Sequence, residues 1–362
     1  MKPLKIIRLK PPRFSEHYIK EKVICIRGHR ERIFEISTQI IEDKLICHNY
    51  GQGGAGLTFL FGCVNESIRK FEEHLKKDQS LRGKPIAVIG AGCYGLLTAI
   101  LLARKNYAVR IIAAQVANLA SYNAAGFFFP RARKCSNANE IATFKALGIE
   151  SYRVYKQIIA GTHAFITKGP KLLPAYYGHD IDPGFAPYLE EGIIDKPEQI
   201  TIHFGNDKIY NVLEYKTIFI DSSELMHELQ RNIVQLGIKI VQAEIDNFSQ
   251  VPESLIFNCT GLGAKKLTGD KRIVPVQGHL ITLKNQVDLE QLQYMINIKV
   301  TMLNALGIPR DELIYYAPKD SGILGVTFIR GQDSLTNNQH EFDRIMQRCK
   351  DFFGVEQKFP KN

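Results

Sequence analysis

Tryptophan is absent from this chain of 362 residues, and cysteine occurs only seven times. Cys25, Cys47, Cys63, Cys93, Cys135, Cys259 and Cys349 are scattered with no Cys-x-x-Cys pair, so neither a disulfide framework nor a zinc site is indicated. The ten histidines likewise show no metal-ligand spacing. Long apolar runs are missing too: no stretch approaches the roughly 18 consecutive apolar residues of a membrane span. The opening Met1-Lys-Pro-Leu-Lys-Ile-Ile-Arg-Leu-Lys10 is broken by charge before a signal-peptide core can form. Export and membrane insertion are disfavoured, and a reducing cytoplasm is the expected compartment. The chain has no repeat at solenoid period and no low-complexity tract.

The composition that is present is that of a folded globular protein. Hydrophobic residues make up 45% of the chain, enough to fill the cores of two domains or of one large one. Lys and Arg outnumber Asp and Glu by 47 to 37, a net charge of +10. Such an excess attracts anions, but the basic residues are spread along the chain rather than blocked. The spread reads as ordinary surface charge and argues against nucleic acid as a partner.

Along the chain, the apolar-alternating Val23-Ile-Cys-Ile26 and the strand-like Lys44-Leu-Ile-Cys47 lead into a glycine cluster, Gly51-Gln-Gly-Gly-Ala-Gly56. Leu57, Leu60, Phe61, Val64, Ile68 and Phe71 then fall on one face of a predicted helix. A polar linker over 76–84 separates this region from Ile86-Ala-Val-Ile89, a short continuous apolar run typical of a buried parallel strand. Gly90-Ala-Gly-Cys-Tyr-Gly95 follows at once, then a helical stretch to Arg104 and a second buried strand over 108–113. That is a β-α-β unit in about thirty residues. Further on, the pattern predicts a helix over 222–236, strands over 239–242 and 255–257, and a turn at Asn258-Cys-Thr-Gly261. The tail reads as antiparallel strands over 278–283, 312–316 and 323–329, closed by a helix from Gln339 to Phe353.

Gly-x-Gly-x-x-Gly is a weak motif alone, but here it follows a strand and opens a helix. Gly90 permits the tight turn, Gly92 lets a pyrophosphate approach the backbone, and Gly95 allows close strand-helix packing. The helix N-terminus adds amide donors and a favourable dipole. The second strand lacks the acidic residue that would hold an adenosine ribose; it ends in Ile112-Ala-Ala-Gln115, leaving Gln115 as the hydrogen-bonding side chain there. Thr260 and Gly261, beyond the carboxyl end of a third strand, stand where doubly wound sheets bind ligands, and equally suit a plain turn.

Six segments together resemble the D-amino-acid oxidase family of FAD-dependent oxidases, close also to glycine oxidases. They are Ile86-Ala-Val-Ile-Gly-Ala-Gly-Cys-Tyr-Gly-Leu96, Asn123-Ala-Ala-Gly-Phe-Phe128, Ile218-Phe-Ile-Asp-Ser-Ser-Glu-Leu-Met226, Leu255-Ile-Phe-Asn-Cys-Thr-Gly-Leu-Gly-Ala264, Val276-Gln-Gly-His-Leu-Ile281 and His48-Asn-Tyr-Gly-Gln-Gly-Gly-Ala-Gly-Leu-Thr58. The resemblance implies an α/β fold: a doubly wound, Rossmann-like FAD-binding domain (85–165 and 218–270) and a smaller antiparallel-sheet substrate domain (166–217 and 271–353). Residues 1–21 form an N-terminal extension. The His48 segment lies at the C-terminus in the family but precedes the β-α-β unit here, which implies circular permutation, with 22–77 being the displaced C-terminal segment.

By this resemblance Gly90, Gly92 and Gly95 cradle the FAD pyrophosphate, Ala125, Gly126 and Phe127 lie by the isoalloxazine ring, and Ile245 touches the adenine end. Gly53, Gly54, Gly56, Leu57 and Thr58 supply amides and a hydroxyl to the flavin pyrimidine. The family's carboxylate-binding arginine falls on Ile24, with Arg27 matching a second arginine. Tyr315 matches one of two substrate tyrosines, the other falling near Asp311, and Phe128 lines the pocket. The implied activity is oxidation of a small amine or amino acid by hydride transfer to flavin N5, which requires no protein base; His48 is read as structural. The alternative is a flavin-binding protein without turnover, motivated by the missing ribose acid and arginine. A homodimer is left open.

Overall fold

The Ile86–Ile89 run is a strand with all four residues buried, as expected where both faces are covered. The computed structural model, which describes residues 4–130, 135–303, 308–336 and 338–354, sets it within a six-stranded sheet. Across that sheet stand Lys239–Gln242, Val109–Ala113, Ile86–Ile89, Leu255–Asn258, Lys44–Tyr50 and Glu35–Ile41. The first five are parallel, and the last returns antiparallel on its neighbour as a hairpin. Alternate side chains go to opposite faces. Leu45, Val88, Ile111 and Phe257 pack beneath helices Leu60–Lys77, Cys93–Arg104 and Ser222–Gln235, whereas Ile46, Ala87, Ile112 and Ile256 meet Phe248 and Val251. Because the five strands are parallel, Gly51, Gly90 and Cys259 leave the same edge of the sheet.

The predicted helix after the first glycine cluster begins at Leu60 rather than Leu57. Gly53–Ala55 forms a single 3-10 turn, and Leu57 is buried ahead of the helix. One expected strand is also cut short. The apolar run over 323–329 forms Ile323–Gly325 and then breaks, resuming as Ile329–Arg330. Gly325 has φ +121°, a turn that a side chain would oppose both conformationally and by contact with the His279 carbonyl. Val326, Thr327 and Phe328 are thereby lifted out of the sheet.

A ten-stranded sheet takes up the rest, with Ile273–Leu283 paired antiparallel along its length to Ile19–Arg30. It is mixed rather than purely antiparallel: Lys5–Arg8 runs parallel to Glu198–His203, and Pro170–Tyr177 parallel to Met295–Leu303. Helix Gln339–Phe353 covers one of its faces through Phe342, Ile345, Cys349 and Phe352, packed with Ile281, Tyr316 and Leu324. Residues 22–77 therefore contribute to both sheets. Among the described residues no helix is long and apolar enough to cross a membrane.

Candidate functional site

A cavity of about 2140 Å³ opens at the carboxyl edge of the parallel sheet and reaches the ten-stranded sheet. It exceeds the roughly 300–1,000 Å³ of ordinary small-molecule sites and suits an extended ligand. One wall is the Gly90 turn. Gly90 has φ +111°, and a Cβ there would lie 2.5 Å from the Cys259 carbonyl. A Cβ on Gly95 would collide with the Gly90 carbonyl itself. Gly92 caps helix Cys93–Arg104 and, among the described residues, faces only the Ser121 hydroxyl, which accepts from the Cys93 N–H at 3.1 Å. Chain-tight glycines, an open face and a helix N-terminus make this a cradle suited to a pyrophosphate.

The second glycine cluster lines the same cavity, with Gly53, Gly54, Gly56, Leu57 and Thr58 on its wall. Gly51 and Gly53 adopt φ +92° and +60°, so the chain doubles back at the sheet edge. The residues present thus fit the expected dinucleotide at two separate turns. Thr58 departs from its expected role: its hydroxyl accepts from the Phe129 N–H at 3.1 Å and lies 3.4 Å from the Phe129 carbonyl. It ties the second cradle to residues 127–129 rather than presenting a free donor. At the far end, exposed Gln115 and half-buried Ile245 line the mouth. Thr260 donates its hydroxyl to Asn258 at 2.7 Å, and Gly261 (φ +57°) turns beside it. His48 is buried and bonds Asn258 at 3.2 Å; burial lowers its pKa.

At the inner end the cavity meets Ala125, Gly126 and Phe127. Gly126 has φ +90°, and a Cβ there would strike the Ile220 carbonyl. Phe127 stacks on Tyr315 with ring centroids 4.3 Å apart and planes 21° apart. Burial pushes the Tyr315 phenol up despite nearby Arg27, and among the described residues its hydroxyl has no hydrogen-bond partner. Arg27 enters from the strand Ile19–Arg30. Its Nη2 donates to the Thr327 carbonyl at 2.9 Å, its guanidinium lies over the Phe328 ring at 4.8 Å, and its Nε is buried without an acceptor among the described residues. Burial lowers its pKa, and no carboxylate pairs with it among the described residues.

Two expectations are corrected. Phe128 does not line the cavity. It is fully buried among Tyr152, Tyr155 and Tyr188, because successive residues of an extended segment face opposite ways and Phe127 and Phe129 take the cavity side. Asp311 is not in the cavity either; it is exposed and accepts from Thr301 at 3.0 Å. The tyrosine that reaches the cavity besides Tyr315 and Tyr94 is Tyr177, at the end of the strand Pro170–Tyr177, which the sequence did not single out. Its hydroxyl is buried without a partner among the described residues, and its ring stacks on Phe129 at 5.5 Å. The only signal for it was its place in an aromatic pair, Tyr176-Tyr177, where alternation decides which ring faces inward.

A family model described as FAD dependent oxidoreductase matches residues 85–360. Among curated relatives, the D-amino-acid oxidase of Streptomyces coelicolor is 23% identical over 212 residues, covering 56% of this chain and 60% of the relative. That of Dictyostelium discoideum is 26% identical over 209 residues, covering 56% of this chain and 58% of the relative. The chain thus spans about three fifths of the length of these relatives. Among solved structures, glycine oxidase from Bacillus cereus superposes with TM-score 0.50 at 17% identity, over 74% of this chain and 77% of that one. L-Proline dehydrogenase from P. horikoshii superposes with TM-score 0.52 at 13% identity, over 75% and 77%. At such identities the likeness is one of fold.

Proposed function

The chain belongs to the FAD-dependent oxidoreductase family, and from that premise we propose that it oxidises a small amino acid whose carboxylate is held by Arg27 at the inner end of the cavity. The chemistry that bound FAD supplies is acceptance of a hydride at N5. Gly90, Gly92 and Gly95 would hold its pyrophosphate, and Gly53, Gly54 and Gly56 its far end. One observation carries the substrate assignment: a half-buried guanidinium on the cavity wall with no carboxylate partner among the described residues. Leaving a charge and a buried donor unpaired costs free energy that an incoming carboxylate would recover.

The Tyr315 and Tyr177 hydroxyls, both without hydrogen-bond partners among the described residues, line the same cavity and would orient the carboxylate or amine. Phe127, Phe129 and Tyr315 exclude water and favour an apolar side chain. The amine must arrive neutral for hydride transfer, and positioning is the protein's main contribution. We also propose that the chain order arose by circular permutation. The match beginning at residue 85 and the seating of Lys44–Tyr50 beside Leu255–Asn258 support that reading.

The test is anaerobic reduction of the FAD-loaded protein by paired amino acids and their decarboxylated amines. Amino acids should bleach the flavin faster than the matching amines, and Arg27→Met should remove the difference. A flavin left oxidised by the whole panel would instead support a binding protein without turnover.

A further inference from the structure

Arg27 does not hold itself in place. Its carbonyl acceptor and its stacking ring belong to consecutive residues, Thr327 and Phe328, in the interruption between Ile323–Gly325 and Ile329–Arg330. Backbone outside a sheet has lost the ladder that would fix it, so something else must pin this segment. The pin is visible on the neighbouring strand. Thr327 Oγ accepts the His279 backbone N–H at 3.0 Å and lies 2.7 Å from His279 Nδ1. The Thr327 hydroxyl thus engages both the backbone and the ring of His279, and the proton of the second contact lies on the hydroxyl or on Nδ1 according to the ring tautomer.

His279 is fully buried, and its Nε2 has no hydrogen-bond partner among the described residues. The ring meets Phe342 edge-on, with centroids 5.1 Å apart. An apolar residue would fill this place without the desolvation penalty, so the imidazole's contribution lies in its one strong contact, to Thr327. Burial, reinforced by Arg27, lowers the His279 pKa although Glu341 opposes this, which favours the neutral ring, able to share one proton with the Thr327 hydroxyl.

We propose that His279 is a positioning residue that acts through the Thr327 hydroxyl to hold the Thr327 carbonyl and Phe328 ring against Arg27, and so sets how tightly the cavity binds a carboxylate. This rests on the assignment of Arg27 as the carboxylate site. A merely structural histidine would affect all ligands alike, whereas a positioning one should affect only those that engage Arg27.

The experiment measures dissociation constants of benzoate and of benzyl alcohol for the full-length, FAD-loaded protein by flavin difference spectra. Thr327→Val removes only the hydroxyl, and His279→Leu the ring. Both should weaken benzoate about tenfold and leave benzyl alcohol within twofold, and His279→Asn, whose amide restores a hydrogen-bonding atom near the Nδ1 position, should recover most of the loss. If His279→Leu does not fold, Thr327→Val and His279→Asn decide. Equal weakening of both ligands, or benzoate binding unchanged in Thr327→Val while Arg27→Met abolishes it, overturns the positioning role and leaves the Arg27 assignment standing. Benzoate binding unchanged in Arg27→Met overturns both.

Discussion

Tyr94 and Gly56 join the two glycine cradles: the Tyr94 hydroxyl, from the helix that follows the first, donates to the Gly56 carbonyl in the second at 2.8 Å. A single cofactor lying across both turns would be gripped by two loops 38 positions apart in sequence and held at fixed separation by this bond. Tyr94→Phe keeps the ring and removes the tie. A hydrogen bond of this kind contributes about 1 kcal/mol, so FAD should bind several-fold more weakly, as read by quenching of flavin fluorescence. An unchanged dissociation constant would show that the cradles keep their spacing without it.

The three glycines of the first turn should differ in tolerance. Gly95→Ala places a methyl against the Gly90 carbonyl, a backbone atom that cannot swing away, and the protein should be purified without FAD or fail to fold. Gly92→Ala meets, among the described residues, only the Ser121 hydroxyl at 3.3 Å, a side chain able to rotate, and should retain FAD with reduced affinity. Flavin content per protein after purification decides between them, and the reverse order would contradict the cradle geometry.

Tyr177 carries a buried hydroxyl without a hydrogen-bond partner among the described residues. Tyr177→Phe removes an unmet polar group, so the ligand-free protein should melt at the same temperature or slightly higher. If the hydroxyl serves substrate, KM should rise by about tenfold in the same variant, the usual exchange of stability for function. A lower melting temperature with unaltered KM would make Tyr177 a core residue.

Phe128 and Phe129 are adjacent but should respond differently. Phe128→Ala opens a cavity in the core and should cost about 3–5 kcal/mol of stability by denaturant titration. Phe129→Ala, on the cavity wall, should change the preference among substrates with a smaller loss of stability.

Glu312 anchors the last helix to the ten-stranded sheet. Arg344 holds both its carboxylate oxygens at 2.9 Å and Arg348 adds a contact at 3.3 Å. Burial raises the Glu312 pKa, but the hydrogen bonds and charge of these arginines outweigh it and leave the group below its ordinary value. A carboxyl depressed by folding contributes stability above its unfolded pKa, and that contribution is lost as pH falls through the folded value. The wild-type protein should therefore lose stability on acidification from about pH 5 downward, by an amount that Glu312→Gln reduces. Thermal melts of both proteins across that range check this.

Local pattern was sufficient for the parallel strands at Ile86–Ile89 and Leu255–Asn258, the helix Gln339–Phe353 and the Gly90 turn. In each, the periodicity or the steric demand on a glycine is a property of neighbours in sequence. Resemblance added the second cradle, and the β-α-β context made the first specific. Helix Ala138–Ile159 and strands such as Glu198–His203 and Ile209–Ile220 were not picked out, since they draw their order from burial against distant segments. The inner end of the cavity was decided by the tertiary fold alone. Whether Phe128 or Phe129 faces it depends on one residue of register, and whether Arg27 is paired depends on what a strand some 250 positions away carries opposite it. The break at Gly325, read from sequence as one continuous strand, is where the fold places the carbonyl and the ring that hold that arginine.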